Sequence, residues 1–233
     1  MNSSPPSLWQ RACRVSLVHS RHTRKRLRTF IEPFATDRPT LVVHCTDLDH
    51  KTLFPNATFV GGSHEAFAPL DGSADRTLEA LPADHFPLVV CTGLLEHVPD
   101  LRRLISQLHR VLSPGGTLIL SASAVFPFHG GDANYFHFTP NGLRLLLGSD
   151  FEIERLEGST QPFETVAVLL QRINIQCDVF PPLRPLIDLA TLALPVLDRL
   201  VFRQYVKNNR RDETTRVSSI MPATLHLSAR KVP

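Results

Sequence analysis

Two histidines stand where a proton acceptor at neutral pH would be useful. His129 follows the apolar run TLILSAS at 117–123, and His97 follows PLVVCT at 87–92, so each lies just beyond a segment that reads as a buried strand. An imidazole ordinarily titrates near about 6.5. It can take a proton from a hydroxyl while a new bond forms to that oxygen, work worth roughly 10²- to 10⁴-fold in rate. His129, followed by Gly130 and Gly131, is the first candidate for such a base and His97 the second, although each could instead hold a loop carbonyl or face solvent. Asp132 and Tyr135 are near enough in sequence to shape an acceptor site. The linear spacing shows no metal-ligand set. The 4 cysteines (Cys13, Cys45, Cys91, Cys177) are far apart, lack CxxC or Cys/His spacing, and read as reduced thiols.

The elements that must position these histidines follow from the apolar pattern. Short apolar runs occur at 40–43, 57–60, 87–92, 117–123, 151–157 and 224–229, separated by turn residues and helical patterns, which is the rhythm of βαβ units around a parallel sheet. Leu101, Leu104, Ile105, Leu108, Val111 and Leu112 make an amphipathic helix that Pro99 and Asp100 start and Ser113-Pro114-Gly115-Gly116 stops. A second helix is predicted from Thr139, as cap, to Leu147. A chain of 233 residues with 42% hydrophobic side chains suits one α/β domain with a modest insert or tail. The expected fold is a Rossmann-like, doubly wound, mostly parallel sheet. Its last strand is expected to return antiparallel after a helical insert. The expected organisation is a basic helical extension at 1–38 and one domain at 39–233, with a helical cap at about 163–202.

In that cap, Leu183, Leu186, Ile187, Ala190, Leu194 and Leu197 fall on one helical face opposite Arg184, Asp188 and Asp198, and the apolar face is expected to pack on the sheet domain. Four prolines and the charges exclude a membrane span, and the N-terminus does not read as a secretory signal, so a cytoplasmic protein is expected. Charge is uneven. Residues 1–38 hold eight Lys/Arg against two acids, 203–233 seven against two, and 39–202 ten against eighteen. An acidic body disfavours nucleic acid as a partner, because phosphate contacts need clustered Lys/Arg. The basic ends and apolar insert are compatible with peripheral contact at the inner, anionic face of a membrane.

The stretch FPLVVCTGLLEHVPDLRRLISQLHRVLSPGGTLIL at 86–120 resembles the central block of the class I S-adenosylmethionine-dependent methyltransferases, of the ubiquinone and menaquinone methylating type. The matching motifs are Leu95-Glu96-His97-Val98 and Arg110-Val111-Leu112-Ser113-Pro114-Gly115-Gly116. The resemblance extends over about 38–158 and implies S-adenosylmethionine as cofactor, with Thr92 to His97, Glu96 included, lining its pocket beyond the strand ends. It places His44, Cys45, Thr46, Asp47 and Leu48 on the family's glycine loop, where only the cysteine is kept. Ser63 stands at the ribose-binding acid, with Glu65 two residues on, and Asp75 at the acid that meets the adenine amino group. Leu48 should crowd a loop that normally needs glycine.

The segment FPFHGGDANYFHFTPNGLRLLL is similar to a subgroup linked to saccharide or envelope-lipid metabolism, with Asn134 and His137 where Asp and Arg are expected. The resemblance implies an enzyme that methylates a small-molecule, saccharide or lipid-linked acceptor. Two other readings stand beside it. One is a degenerate methyltransferase-fold scaffold or regulatory protein. The other is a dinucleotide-dependent oxidoreductase, whose GxGxxG loop and ribose acid are equally missing.

Overall fold

A computed structural model of the chain describes residues 22–45, 50–60, 78–129, 134–202, 204 and 219–232, with the backbone alone for His44, Cys45 and His50. Six strands form one sheet among these residues: β1 (Thr40–Cys45), β2 (Ala57–Val60), β3 (Phe86–Thr92), β4 (Leu112–Ser123), β5 (Phe151–Gly158) and β6 (Thr224–Lys231). They lie in the order β2-β1-β3-β4-β6-β5. β1 runs parallel to β2 and β3, and β3 parallel to β4, while β6 enters antiparallel between β4 and β5. The first five strands therefore point one way, as the sequence pattern predicts.

The period of two along each strand divides the core into two layers. Leu41, Val43, Val89, Cys91, Leu118 and Leu120 point to one face, where they meet Leu104, Ile105, Leu108 and Val111 of α2 (Leu101–Val111) and Leu143 and Leu147 of α3 (Pro140–Leu147). Val42, Leu88, Val90 and Ile119 point to the other, against Phe30 and Ile31 of α1 (His22–Ile31) and Phe54. Both faces of β3 are thus covered, which is why FPLVVCT is an almost unbroken apolar run.

The predicted helix boundaries have visible causes. The Asp100 side chain accepts from the Arg103 N–H at 3.0 Å, and Thr139 Oγ1 accepts from the Gly142 N–H at 3.0 Å. After α2, Gly115 takes φ +69°, and a Cβ on Gly116 would sit 2.8 Å from the Ser113 carbonyl oxygen and 3.1 Å from that of Pro87. The Pro-Gly-Gly turn therefore lets the backbone entering β4 lie against the backbone of β3. Arg110, from the same motif, donates to the carbonyls of Leu81 at 2.8 Å and Leu78 at 2.6 Å, tying α2 to the chain that leads into β3. At the far end of β6, the Lys231 ammonium donates to Asp84, His109 and Leu112 oxygens at 2.6, 2.9 and 2.8 Å.

Helical residues follow β5: α4 (Pro162–Gln176), α5 (Arg184–Ala193) and a 3₁₀ segment at Leu194–Leu200. Asp198 accepts from the Phe163 and Glu164 N–H groups at 2.9 and 2.8 Å, folding the 3₁₀ segment onto the start of α4. The Arg26 guanidinium of α1 donates to the buried Glu164 carboxylate at 3.2 and 3.0 Å, which joins the N-terminal helix to the insert.

The orientation of α5 corrects the expectation drawn from its apolar stripe. Arg184 and Asp188 are only 3% and 4% exposed, whereas Leu189 is 62% and Leu192 57% exposed, and Leu183, Leu186 and Leu197 also face outward. The polar face packs inward because it has partners there. Arg184 donates to the Asn174 and Cys177 carbonyls, and Asn174 donates to the Asp188 carboxylate at 2.7 Å. These buried hydrogen bonds hold the polar face inward, although Asn174 Oδ1 and Arg184 Nε make none among the described residues, and the leucines are left outside.

Candidate active site

The site grows from the carboxyl ends of β3 and β4. Thr92 ends β3, paired with Cys45 of β1 on one side and Ser121 of β4 on the other. Gly93 then turns the chain at φ +66° and donates its N–H to Ser121 Oγ at 3.0 Å. A non-glycine residue would be strained in that conformation. One 3₁₀ turn, Leu95–His97, follows and is wholly buried.

Glu96 is 3% exposed. Its Oε1 accepts from Ser123 Oγ of β4 at 2.7 Å, while its Oε2, also buried, has no hydrogen-bond partner among the described residues. The segment after β4 folds back over this turn. The Tyr135 N–H donates to the Glu96 carbonyl at 2.7 Å, and the Phe138 N–H to the Ser123 carbonyl at 2.8 Å. Asn134 is held there with both side-chain polar atoms buried and without described partners.

His129 lies over Glu96. Its Nδ1 bonds the Pro127 carbonyl at 3.0 Å, which makes Nδ1 the donor and directs Nε2 elsewhere. Nε2 is 3.9 Å from Glu96 Oε1. The ring meets His97 edge-on at 4.9 Å between centroids and Phe126 at 5.1 Å, and Arg172 of α4 stacks on Phe126 at 4.6 Å. Burial pushes the His129 pKa down to about 4, against the Pro127 carbonyl, which favours the charged form; nearby His97, Arg172 and His137 add to the lowering. The ring is therefore neutral near pH 7. Burial likewise raises the Cys91 thiol far above its ordinary range, so this β3 cysteine is no nucleophile.

The fold thus brings together Glu96, His97 and His129, with half-exposed Tyr135 beside them, while buried Thr92 ends the strand that leads to them. His44 and Cys45 end the neighbouring strand β1, and only their backbone is described. Thr46, Asp47, Leu48, Ser63, Glu65, Asp75 and Asp132 lie outside the described residues. Sequence reasoning did not single out Ser123, whose signal is a hydroxyl inside an otherwise apolar run, nor the buried amide of Asn134. It also showed no metal-ligand set, yet one donor atom each from Glu96, His97 and His129 lies within 4.8 Å of the others.

At these strand ends β1 and β3 stop side by side, and Gly93 leads the chain away without a side chain. The comparisons agree with this architecture. A family model described as a methyltransferase domain matches residues 28–118. The ubiquinone biosynthesis O-methyltransferases of Pseudomonas paraeruginosa and Pseudomonas aeruginosa are each 41% identical over 49 residues, 21% of this chain and 21% of theirs. The match thus spans about a fifth of the length of these curated relatives. A SAM-dependent methyltransferase from Archaeoglobus fulgidus has the same fold, with a TM-score of 0.51 at 16% identity over 91% of this chain and 95% of that one. The matching methyltransferase domain over residues 28–118, the shared central block and the common fold make the chain similar to the class I S-adenosylmethionine-dependent methyltransferases.

Proposed function

We propose that the chain transfers a methyl group from S-adenosylmethionine to a hydroxyl of a small, lipid-linked acceptor. The observation that carries the reading is the buried Glu96 carboxylate beside His129 at the carboxyl edge of the sheet, next to the Gly93 turn. The cofactor supplies a methyl already activated on a sulfonium, so the protein's tasks are alignment and removal of the acceptor proton. The strand ends at His44 and Cys45, with Thr46, Asp47, Ser63 and Asp75 beyond the described residues, would hold the cofactor, and Thr92 and Glu96 would border it. His129 and His97 face the acceptor.

The altered loop at His44 to Leu48 supports a second reading, a scaffold that has lost the cofactor. Calorimetric titration with S-adenosylmethionine separates the two. The enzyme reading expects saturable binding that Leu48→Gly with Ser63→Asp strengthens about tenfold or more, since a hydrogen bond to a charged group is worth roughly 1.5–3 kcal/mol. Absence of saturable binding would hand the chain to the scaffold reading.

A lipid-linked rather than free saccharide acceptor is favoured by the outward face of the insert. Leu186, Leu189, Leu192, Val196 and Leu200 are exposed along it, and Phe202 is 94% exposed. Arg199 lies among them, and Arg203, Lys207, Arg210 and Arg211 follow in sequence. Apolar side chains flanked by cations suit the surface of an anionic membrane. No helix among the described residues is long and apolar enough to cross one. The chain is expected to float with phosphatidylserine-containing vesicles, less so in high salt, and Leu189→Glu with Leu192→Glu should weaken this about tenfold. Equal partition onto neutral and anionic vesicles, or no effect of the double change, would remove the membrane from the proposal.

A further inference from the structure

We infer that Glu96, His97 and His129 hold a divalent transition-metal cation, of the zinc or manganese class, to which the acceptor hydroxyl binds. Three separate features of the site support this. The donor atoms lie within 4.8 Å of one another, and Glu96 and His97 are buried. A cation bound at about 2.0–2.2 Å from each needs side-chain movements on the order of 1 Å to gather them. The second feature is the orphaned Glu96 Oε2, a buried carboxylate oxygen with no hydrogen-bond donor among the described residues. A cation would satisfy it.

The third feature is the Pro127 carbonyl. By fixing the proton on Nδ1 of His129, it leaves Nε2 to meet Glu96 Oε1 at 3.9 Å, an imidazole nitrogen facing a carboxylate oxygen. Two lone pairs repel unless something positive joins them, and a backbone carbonyl on the far nitrogen is the usual support of a metal-binding histidine. Ser123 Oγ orients the carboxylate in the same way. Two imidazoles and one carboxylate leave coordination positions open, and they suit zinc, manganese or ferrous iron better than magnesium or calcium.

The inference rests on the methyl-transfer reading for its use. Coordination acidifies the acceptor hydroxyl. Its proton goes to solvent, its oxygen bonds the methyl carbon as the carbon–sulfur bond breaks, and the electron pair stays on sulfur. His129 then acts as ligand, and no imidazole need take the proton.

The test uses the full chain carrying Cys177→Ser, to remove an exposed thiol, and stripped with a chelator. Titration with Zn²⁺ and with Mn²⁺ should show one ion bound per chain by at least one of them, Co²⁺ should give a visible ligand-field spectrum, and the bound ion should raise the thermal midpoint. Glu96→Gln, which keeps an acceptor for Ser123, and His129→Gln, at a less buried position, should each weaken binding at least tenfold. No stoichiometric ion, or unchanged affinity in both variants, overturns the site. S-adenosylmethionine titrated into the same samples keeps the two readings distinct. Cofactor binding without ion binding sinks the cation alone, whereas ion binding without cofactor binding upholds the cation and sinks methyl transfer.

Discussion

Replacing His129 with Gln is expected to lower turnover by roughly 100-fold or more while leaving S-adenosylmethionine affinity nearly intact, because a general base typically contributes 10²- to 10⁴-fold. The split follows from where the ring sits. His129 touches Glu96, His97 and Phe126 on the side covered by the segment returning from β4, whereas the cofactor is proposed to lie across the ends of β1 and β3, which stop side by side. Gln is the informative replacement because its amide can still donate to the Pro127 carbonyl, as Nδ1 does at 3.0 Å. Packing is then largely kept while the Nε2 lone pair is lost. The effect has the same sign whether Nε2 takes the acceptor proton or holds a cation that acidifies it. The measurement is a pair on one protein sample: calorimetric cofactor affinity, and turnover with the identified acceptor. A parallel loss of affinity would make His129 a structural residue, and unchanged turnover would take it out of the chemistry.

Much of the scaffold that carries His129 is legible in the sequence, for a physical reason. Strand faces alternate, so Leu41, Val42 and Val43 announce a strand covered on both sides, and the Pro-Gly-Gly stop is written in residues whose backbone freedom the turn requires. The constellation at the site is less legible. Glu96 and His97 are adjacent in sequence, but His129 is 32 residues further on, and the three meet only because β4 lies beside β3 and the chain returns through the Phe138 to Ser123 hydrogen bond. Linear spacing carries no record of such a meeting, so a donor set that is compact in space looks like three unrelated residues. The roles assigned to Ser63 and Asp75 came from resemblance, and those residues lie outside the described part of the chain. For the insert, helical periodicity reveals a stripe but not its direction. Which face goes inward is decided by partners elsewhere, here Asn174 and the Cys177 carbonyl on and after α4.

That inversion makes the second large effect. Asp188→Ala is expected to destabilise the fold by about 3–5 kcal/mol, the range for removing one member of a buried, charged and hydrogen-bonded set. The carboxylate accepts from Asn174 Nδ2 at 2.7 Å, and Asn174 also donates to the Arg184 carbonyl at 3.2 Å, so its loss leaves a buried amide short of an acceptor beside a buried guanidinium. Leu189→Ala, one residue on, should change stability by no more than about 0.5 kcal/mol, because the leucine is 62% exposed and its truncation opens no cavity. Urea denaturation of both variants tests the orientation directly. If the apolar face of α5 packed inward, the order would reverse, since truncating a buried leucine costs about 2–5 kcal/mol and a surface aspartate little. The same pair bears on function. Leu189→Ala should stay fully folded yet bind phosphatidylserine-containing vesicles more weakly, whereas Asp188→Ala should loosen the insert whether or not vesicles are present. A stability loss confined to Asp188 and a vesicle effect from Leu189 would establish that the insert's polar side holds it to the domain while its leucines remain available for the membrane.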